Sequence, residues 1–284
     1  MSQIDHSKPI WRRRGFRELL LDAYHINDSA GATTTTTSSS SSSAMVKSRQ
    51  TALSSLCHSL TFITHLMDAV FVGPLDKNFK RVAWDVQSSI RQCLSLTRDA
   101  MAIPGVSSSS GPSVEATFPF ITSLSKQVRT MLPGQVHILP GGWIDTETHG
   151  FHPALYLVSR NGNMDTSASY RFVLVSYPEC DAPTTKPYHP KQFSATNMTV
   201  QLMSAVIFDD IPQDRLRHTA FWMALMRPLL FPGATFDDVS GGPGGTMGNM
   251  LYDRLLPFLN RRPLEASVAR SAALPVSWIS IPRN

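Results

Sequence analysis

His149 and His152 stand three residues apart in GGWIDTETHGFHPALYLVSR, residues 141 to 160, where a loop enters a stretch that reads as a buried strand. Two imidazoles in that position support three kinds of chemistry. In the first, His152 is a general base oriented by Glu179 or Asp181, and a cysteine is its nucleophile, because a thiol needs an adjacent imidazole to be held as thiolate near neutral pH. Cys57 precedes the histidine in the chain, and Cys180 lies close to it if the two strands that follow form a hairpin. In the second, His149 and His152 join Cys180 or His189 around a zinc ion, which takes nitrogen and sulfur ligands in a tetrahedron. Structural zinc sites usually carry two paired ligand motifs, and only one is paired here. In the third, both histidines are polar loop residues, Pro153 fixes the chain as it enters the strand, and His152 bonds a nearby carbonyl.

The elements that would place these residues are legible as patterns. ALYLVS and YRFVLVSY are two β-rich runs, and RNGNMDTSAS between them begins with Asn-Gly and is polar throughout, as a hairpin loop should be. Pairing Asn161 near Tyr170 puts His152 opposite Glu179, so His149, His152, Glu179, Cys180 and Asp181 converge at one end, with Tyr188 and His189 able to fold back there. Both runs are apolar at successive positions, which predicts a sheet covered on both faces. Upstream, QVHIL reads as a short strand and Pro140 to Gly142 as a turn. Downstream, residues 199 to 208 read as one further strand, and Asp210 and Pro212 as the start of a helix over QDRLRHTAFWMALM. Phe221, Trp222, Leu225 and Leu229 form the packing face of that helix. A last helix is expected from Asn249 to Leu256, interrupted by Pro257.

The strongest helical signal lies earlier. Leu53, Leu56, Leu60, Ile63, Met67 and Val70 step by three and four, predicting a helix over residues 46 to 72. Gly73 and Pro74 stop it, Asp76 can cap the next, and Phe79, Val82, Val86, Ile90 and Cys93 continue the stripe to about residue 101. Cys57, with apolar residues three and four away, reads as a core cysteine of the first helix. Ile121, Leu124, Val128 and Leu132 mark a third helix after the low-complexity GVSSSSGPS.

Composition bounds the rest. The 284 residues suffice for a core without disulfide or metal, so no cofactor is expected. Three cysteines with no CxxC pair argue for a reducing, cytoplasmic setting and against a disulfide framework. No apolar run is long enough to span a bilayer, and no secretory leader pattern opens the chain. The net charge is +5, yet basic residues are scattered except at Arg12, Arg13 and Arg14, a cluster that suits a nucleic-acid or anionic-membrane contact or, more plainly, a solvated helix start; the expected partner is a protein, with no membrane and no nucleic acid. VSGGPGGTMGNM lacks the lysine of a phosphate-binding loop and reads as a flexible loop. TTTTTSSSSSSA has nothing to bury and reads as a linker.

The blocks MLPGQVHILPGGW, FHPALYLVSR, YRFVLVSY and YHP, in that order, resemble a recurrent set in large uncharacterised proteins of protists and some bacteria, itself distantly papain-like. The chain order Cys57, His152 and an acid after the second strand is also similar to that of papain-like peptidases and transglutaminase-like enzymes, whose histidine opens one strand and whose Asn or Asp follows on the next. The resemblance implies His152 as the histidine. SYPECD stands where the asparagine block would be, no cysteine follows it, and Cys57 lies inside a helix instead of at its N-terminus. A truncated chain or a domain that has lost catalysis both fit those departures.

The expectation is therefore an α+β protein: residues 1–27 a basic helical segment, 28–45 a disordered linker, 46–132 a helical region, 135–262 a small antiparallel sheet with flanking helices, and 263–284 a tail. Its expected role is an intracellular interaction or regulatory protein, a catalytically degenerate relative of papain-like hydrolases. The alternative is a cysteine hydrolase of peptide or isopeptide bonds, with His152 as base.

Overall fold

The computed structural model describes residues 41–70, 77–103, 114–144, 151–161, 169–176, 189–194, 199–230, 248 and 250–282. The Arg12–Arg14 cluster, residues 105–113, the hairpin loop and most of the glycine-rich segment lie outside these residues.

Leucines at helical spacing build α1 (Ser41–Val70), which begins inside the Ser tract, and α2 (Lys77–Ala102) runs back beside it. The pair is antiparallel: Asp68 near the end of α1 accepts from Gln87 and Arg91 of α2, while Arg49 near the start of α1 donates to the carbonyl of Ala100. The Arg49 guanidinium is buried and takes up one of the carbonyls that the last turn of α2 leaves without a helical partner. Helix α3 (Val114–Arg129) buries Ile121, Leu124 and Val128 as its spacing predicts. Leu132, expected on the same stripe, falls beyond the helix end and is exposed.

A four-stranded antiparallel sheet follows, in the order β1 (Val136–Ile144), β2 (Phe151–Asn161), β3 (Ser169–Ser176), β6 (Ala205–Pro212). Pro140 to Gly142 is not a turn; the strand runs straight through it. Two glycines are needed there because a Cβ on Gly141 would fall inside the Tyr156 ring, and Gly142 has φ +144° with Phe151 and the His152 carbonyl against it. The β2–β3 register is one residue off the expected pairing: Arg160 faces Tyr170 and Asn161 faces Ser169. Described pairing ends at Ala154 and Ser176, so the partner of His152 is Trp143 on β1.

Both faces of the sheet are covered at β1 and β2. Tyr156, Val158, Phe172, Leu174 and Phe208 join the main core with α3 and with α5 (Thr219–Leu230). On the opposite face Ile138 and Leu155 pack against Leu60, Ile90, Cys93 and Leu94 of the hairpin. Each edge of this sheet meets a serine from a helix. Ser89 Oγ of α2 donates to the Val136 carbonyl at 2.5 Å, and Ser271 Oγ of α7 (Leu264–Ala272) accepts from Ile207 N at 2.8 Å. Each bond occupies one backbone group of an edge strand.

The single strand expected at 199–208 is two. β5 (Thr199–Met203) belongs to a second antiparallel sheet, β4 (Lys191–Ser194), β5, β7 (Trp278–Pro282), and Ser204 carries the chain across to β6. Its N–H donates to Ser277 O at 2.7 Å, and its carbonyl accepts from Ser176 N at 2.9 Å. The stretch that reads as a tail thus contains α7 and β7.

Asp210 does not cap a helix. It lies in β6 at φ 59°, opposite a shift in the β3–β6 register, and Pro212 precedes α4 (Gln213–Arg217). The expected long helix breaks at His218, which is extended, so α4 and α5 are separate; Trp222 Nε1 donates to Leu216 O at 2.7 Å and joins them. A π-helix at Met250–Leu255 passes into α6 (Leu256–Asn260) without interruption at Pro257, which sits just past the junction of the two.

Candidate functional site

Strand pairing places His152 beside Trp143, and their rings stack at 5.7 Å between centroids, 17° from parallel. The edge of Tyr252, from the π-helix, meets Trp143 at 5.5 Å, and Tyr252 in turn meets the His189 ring edge-on at 5.7 Å. His189 Nδ1 lies 2.7 Å from the Met203 carbonyl and Nε2 lies 2.7 Å from Tyr252 Oη. A carbonyl only accepts, so Nδ1 carries the proton, Nε2 of the neutral ring accepts, and the phenol donates. Burial pushes the pKa of His189 below the usual imidazole range, and its bond to Met203 offsets this in part.

His189 therefore does reach the neighbourhood of His152, through two aromatic rings instead of a shared ligand. Its two ring nitrogens are both engaged with the protein, which suits a brace between β5 and the π-helix. Among the described residues no group of three or more His, Cys, Asp or Glu side chains could hold a metal ion. His149, Glu179, Cys180, Asp181 and Tyr188 lie outside the described residues.

The two described thiols are elsewhere. Cys57, like Leu155 and Ile138, packs against the hairpin cluster of Leu60, Ile90, Cys93 and Leu94, and its Sγ lies 3.7 Å from Met101 Sδ. Along β2 the side chains alternate, so His152 shares the face of Ala154 and Tyr156, whereas Leu155 points to the hairpin. The sheet thus stands between Cys57 and His152. Burial raises the Cys57 thiol, with Arg98 pulling weakly the other way, and burial pushes Cys93 up to about 12. Neither is held as a thiolate.

Three polar features went unread in the sequence. Trp143 and Tyr252 were visible only as aromatics, with nothing in their spacing to link them. His137 Nδ1 donates to Gln92 Oε1 at 2.6 Å, and Gln92 Nε2 donates to Gln127 Oε1 at 2.7 Å, tying β1 to α2 and α3. At the β6 irregularity, buried Asp209 pairs with Arg171 and with Arg270 at 3.0 Å, while Asp210 pairs with Arg262 at 3.0 Å. Two carboxylates and three guanidinium groups so pin α7 to β6 and β3. No family model, curated protein or solved structure matches the chain.

Proposed function

We propose that this chain is an interaction or regulatory protein, built on a scaffold related to papain-like hydrolases but without the cysteine–histidine pair those enzymes use. The observation that carries the reading is the start of α2, where Val82, Trp84 and Val86 are 58%, 64% and 40% exposed, the two valines on a stripe that reads as core. Apolar side chains of that size, exposed within two turns of one helix, mark a place that another molecule can cover. The position of Cys57 behind the sheet from His152 supports the loss of catalysis. So does the burial that keeps both described thiols protonated.

Thiol alkylation across pH 5 to 9, in wild type and His152→Ala, tests this. Cys57 and Cys93 should react no faster below the free-thiol pKa of about 8.5 than ordinary buried thiols, and no cysteine should respond to the substitution. A cysteine, Cys180 included, that reacts well below that pKa and slows in His152→Ala would overturn the reading in favour of a hydrolase.

A further inference from the structure

Beyond that reading, we propose that the cleft between the end of α3, α4 and the start of α5 is a binding site for a small phosphate monoester. The cleft measures about 420 Å³ and is lined by Arg129, Gln213, Asp214, Arg217 and His218. That volume lies in the range that takes a small molecule. Among the described residues no apolar side chain lines it, so its occupant is recognised by charge and hydrogen bonds.

Two guanidinium groups are fixed there by neutral acceptors. Arg129, the last residue of α3, donates from Nε and Nη2 to the Arg217 carbonyl at 3.0 and 2.6 Å, and Nη2 also lies 3.5 Å from Thr219 Oγ1. Arg217, one turn beyond Gln213 on α4, donates to the Gln213 amide oxygen when that amide is turned toward it. Both planar groups are thus oriented, yet neither forms an ion pair among the described residues. Nη1 of Arg129 keeps its N–H donors without an acceptor among them. Nearby arginines are used differently. Arg215 of the same turn lies over the Phe258 ring at 4.0 Å, and Arg171, Arg262 and Arg270 meet Asp209 or Asp210.

The class of ligand follows from the charge left over. Two oriented cations stand against one carboxylate, Asp214, and His218 adds a ring that can donate a further hydrogen bond. The positive end of the α5 dipole begins at the next residue, Thr219. A lone carboxylate satisfies one guanidinium, whereas a phosphate monoester brings a charge of about −2 and three acceptor oxygens, enough for two forks at once. Arg129, Asp214, Arg217 and His218 are all exposed, so the rest of a small ligand stays in water.

Isothermal titration of the full chain with glycerol phosphate, at fixed ionic strength, tests this. Arg217→Gln should weaken binding about tenfold or more, because a charge-assisted pair is lost. Asp214→Asn should tighten it about threefold by removing the opposing charge, a gain that misfolding cannot imitate. Lys80→Gln, at an exposed cation on α2, should leave it unchanged. Thermal unfolding without ligand checks that each variant is folded.

No binding of glycerol phosphate at millimolar concentration would overturn the proposal, as would binding that Arg217→Gln or Asp214→Asn leaves unchanged. Equal affinity for acetate would reduce the cleft to general anion attraction and overturn the phosphate assignment. A phosphoserine peptide that binds about tenfold or more tighter than glycerol phosphate would replace the small molecule by a phosphorylated protein.

Discussion

His189 shows how a histidine can be conspicuous in sequence and yet be occupied by the fold. Its protonation requires charge in a buried place where Nε2 now accepts the Tyr252 hydroxyl proton, so the neutral form belongs to the folded state. Because the folded pKa lies below the unfolded value of about 6.5, the unfolded chain binds more protons as pH falls through that value. Stability from this residue is thus complete above about pH 6.5 and is lost as pH falls toward the folded pKa. His137, also lowered by burial, acts in the same direction. Urea unfolding at pH 7 and pH 5 should give a smaller loss on acidification in His189→Gln than in wild type, and an equal loss would contradict the assignment. Tyr252→Phe leaves Nε2 buried without its donor and should cost about 1–3 kcal/mol in the same measurement at pH 7. Sequence reasoning placed His189 near His152, but Tyr252 is 63 residues away, and no local pattern announces a partner at that distance.

At the scale of elements, legibility follows the range of the interactions that decide each one. The α1 and α3 stripes were readable because helical periodicity is local, and Leu53, Leu60, Ile121, Leu124 and Val128 are buried as that periodicity demands. The α2 stripe was readable as a helix, and Ile90 and Cys93 are buried along it, but Val82 and Val86 are exposed, because periodicity alone does not say how far along a helix its neighbours cover it. Pro140 to Gly142 was misread since Pro-Gly-Gly usually makes a turn, whereas here the missing side chains make room for Tyr156 and Phe151. β4 and β7, of four and five residues, owe their state to pairing with β5. Gly141→Ala should destabilise by about 3 kcal/mol, as an added methyl group meets a fully buried ring. Ser271→Ala leaves Ile207 N without its acceptor and should cost about 1–2 kcal/mol. Chemical denaturation checks both, and Gly141→Ala at wild-type stability would mean that the strand does not pass Tyr156 as described.

For the whole molecule, the α+β class was legible while its continuity was not. One contiguous core takes Leu53 from α1, Leu96 and Ala100 from α2, Val128 from α3, Tyr156 and Phe208 from the sheet, and Leu259 from α6. Helical and sheet regions that look separable in sequence share their interior. Far-UV circular dichroism, which weighs the helices, and tryptophan fluorescence, to which fully buried Trp222 contributes, should therefore report one coincident unfolding transition. Two resolved transitions would show that the hairpin folds by itself. Among the described residues no helix is long and apolar enough to cross a membrane.

The passage at Ser204 gives this continuity a direction in time. The chain leaves one sheet and enters the other within a single residue, whose N–H is bonded to Ser277 and whose carbonyl is bonded to Ser176. During synthesis the four-stranded sheet can form once β6 has emerged, but β5 has only β4 beside it until residues 277–282 are made. For that interval its open side is a strand edge awaiting a mate. A nascent chain halted there is the species most exposed to mispairing, and the one for which a chaperone would matter.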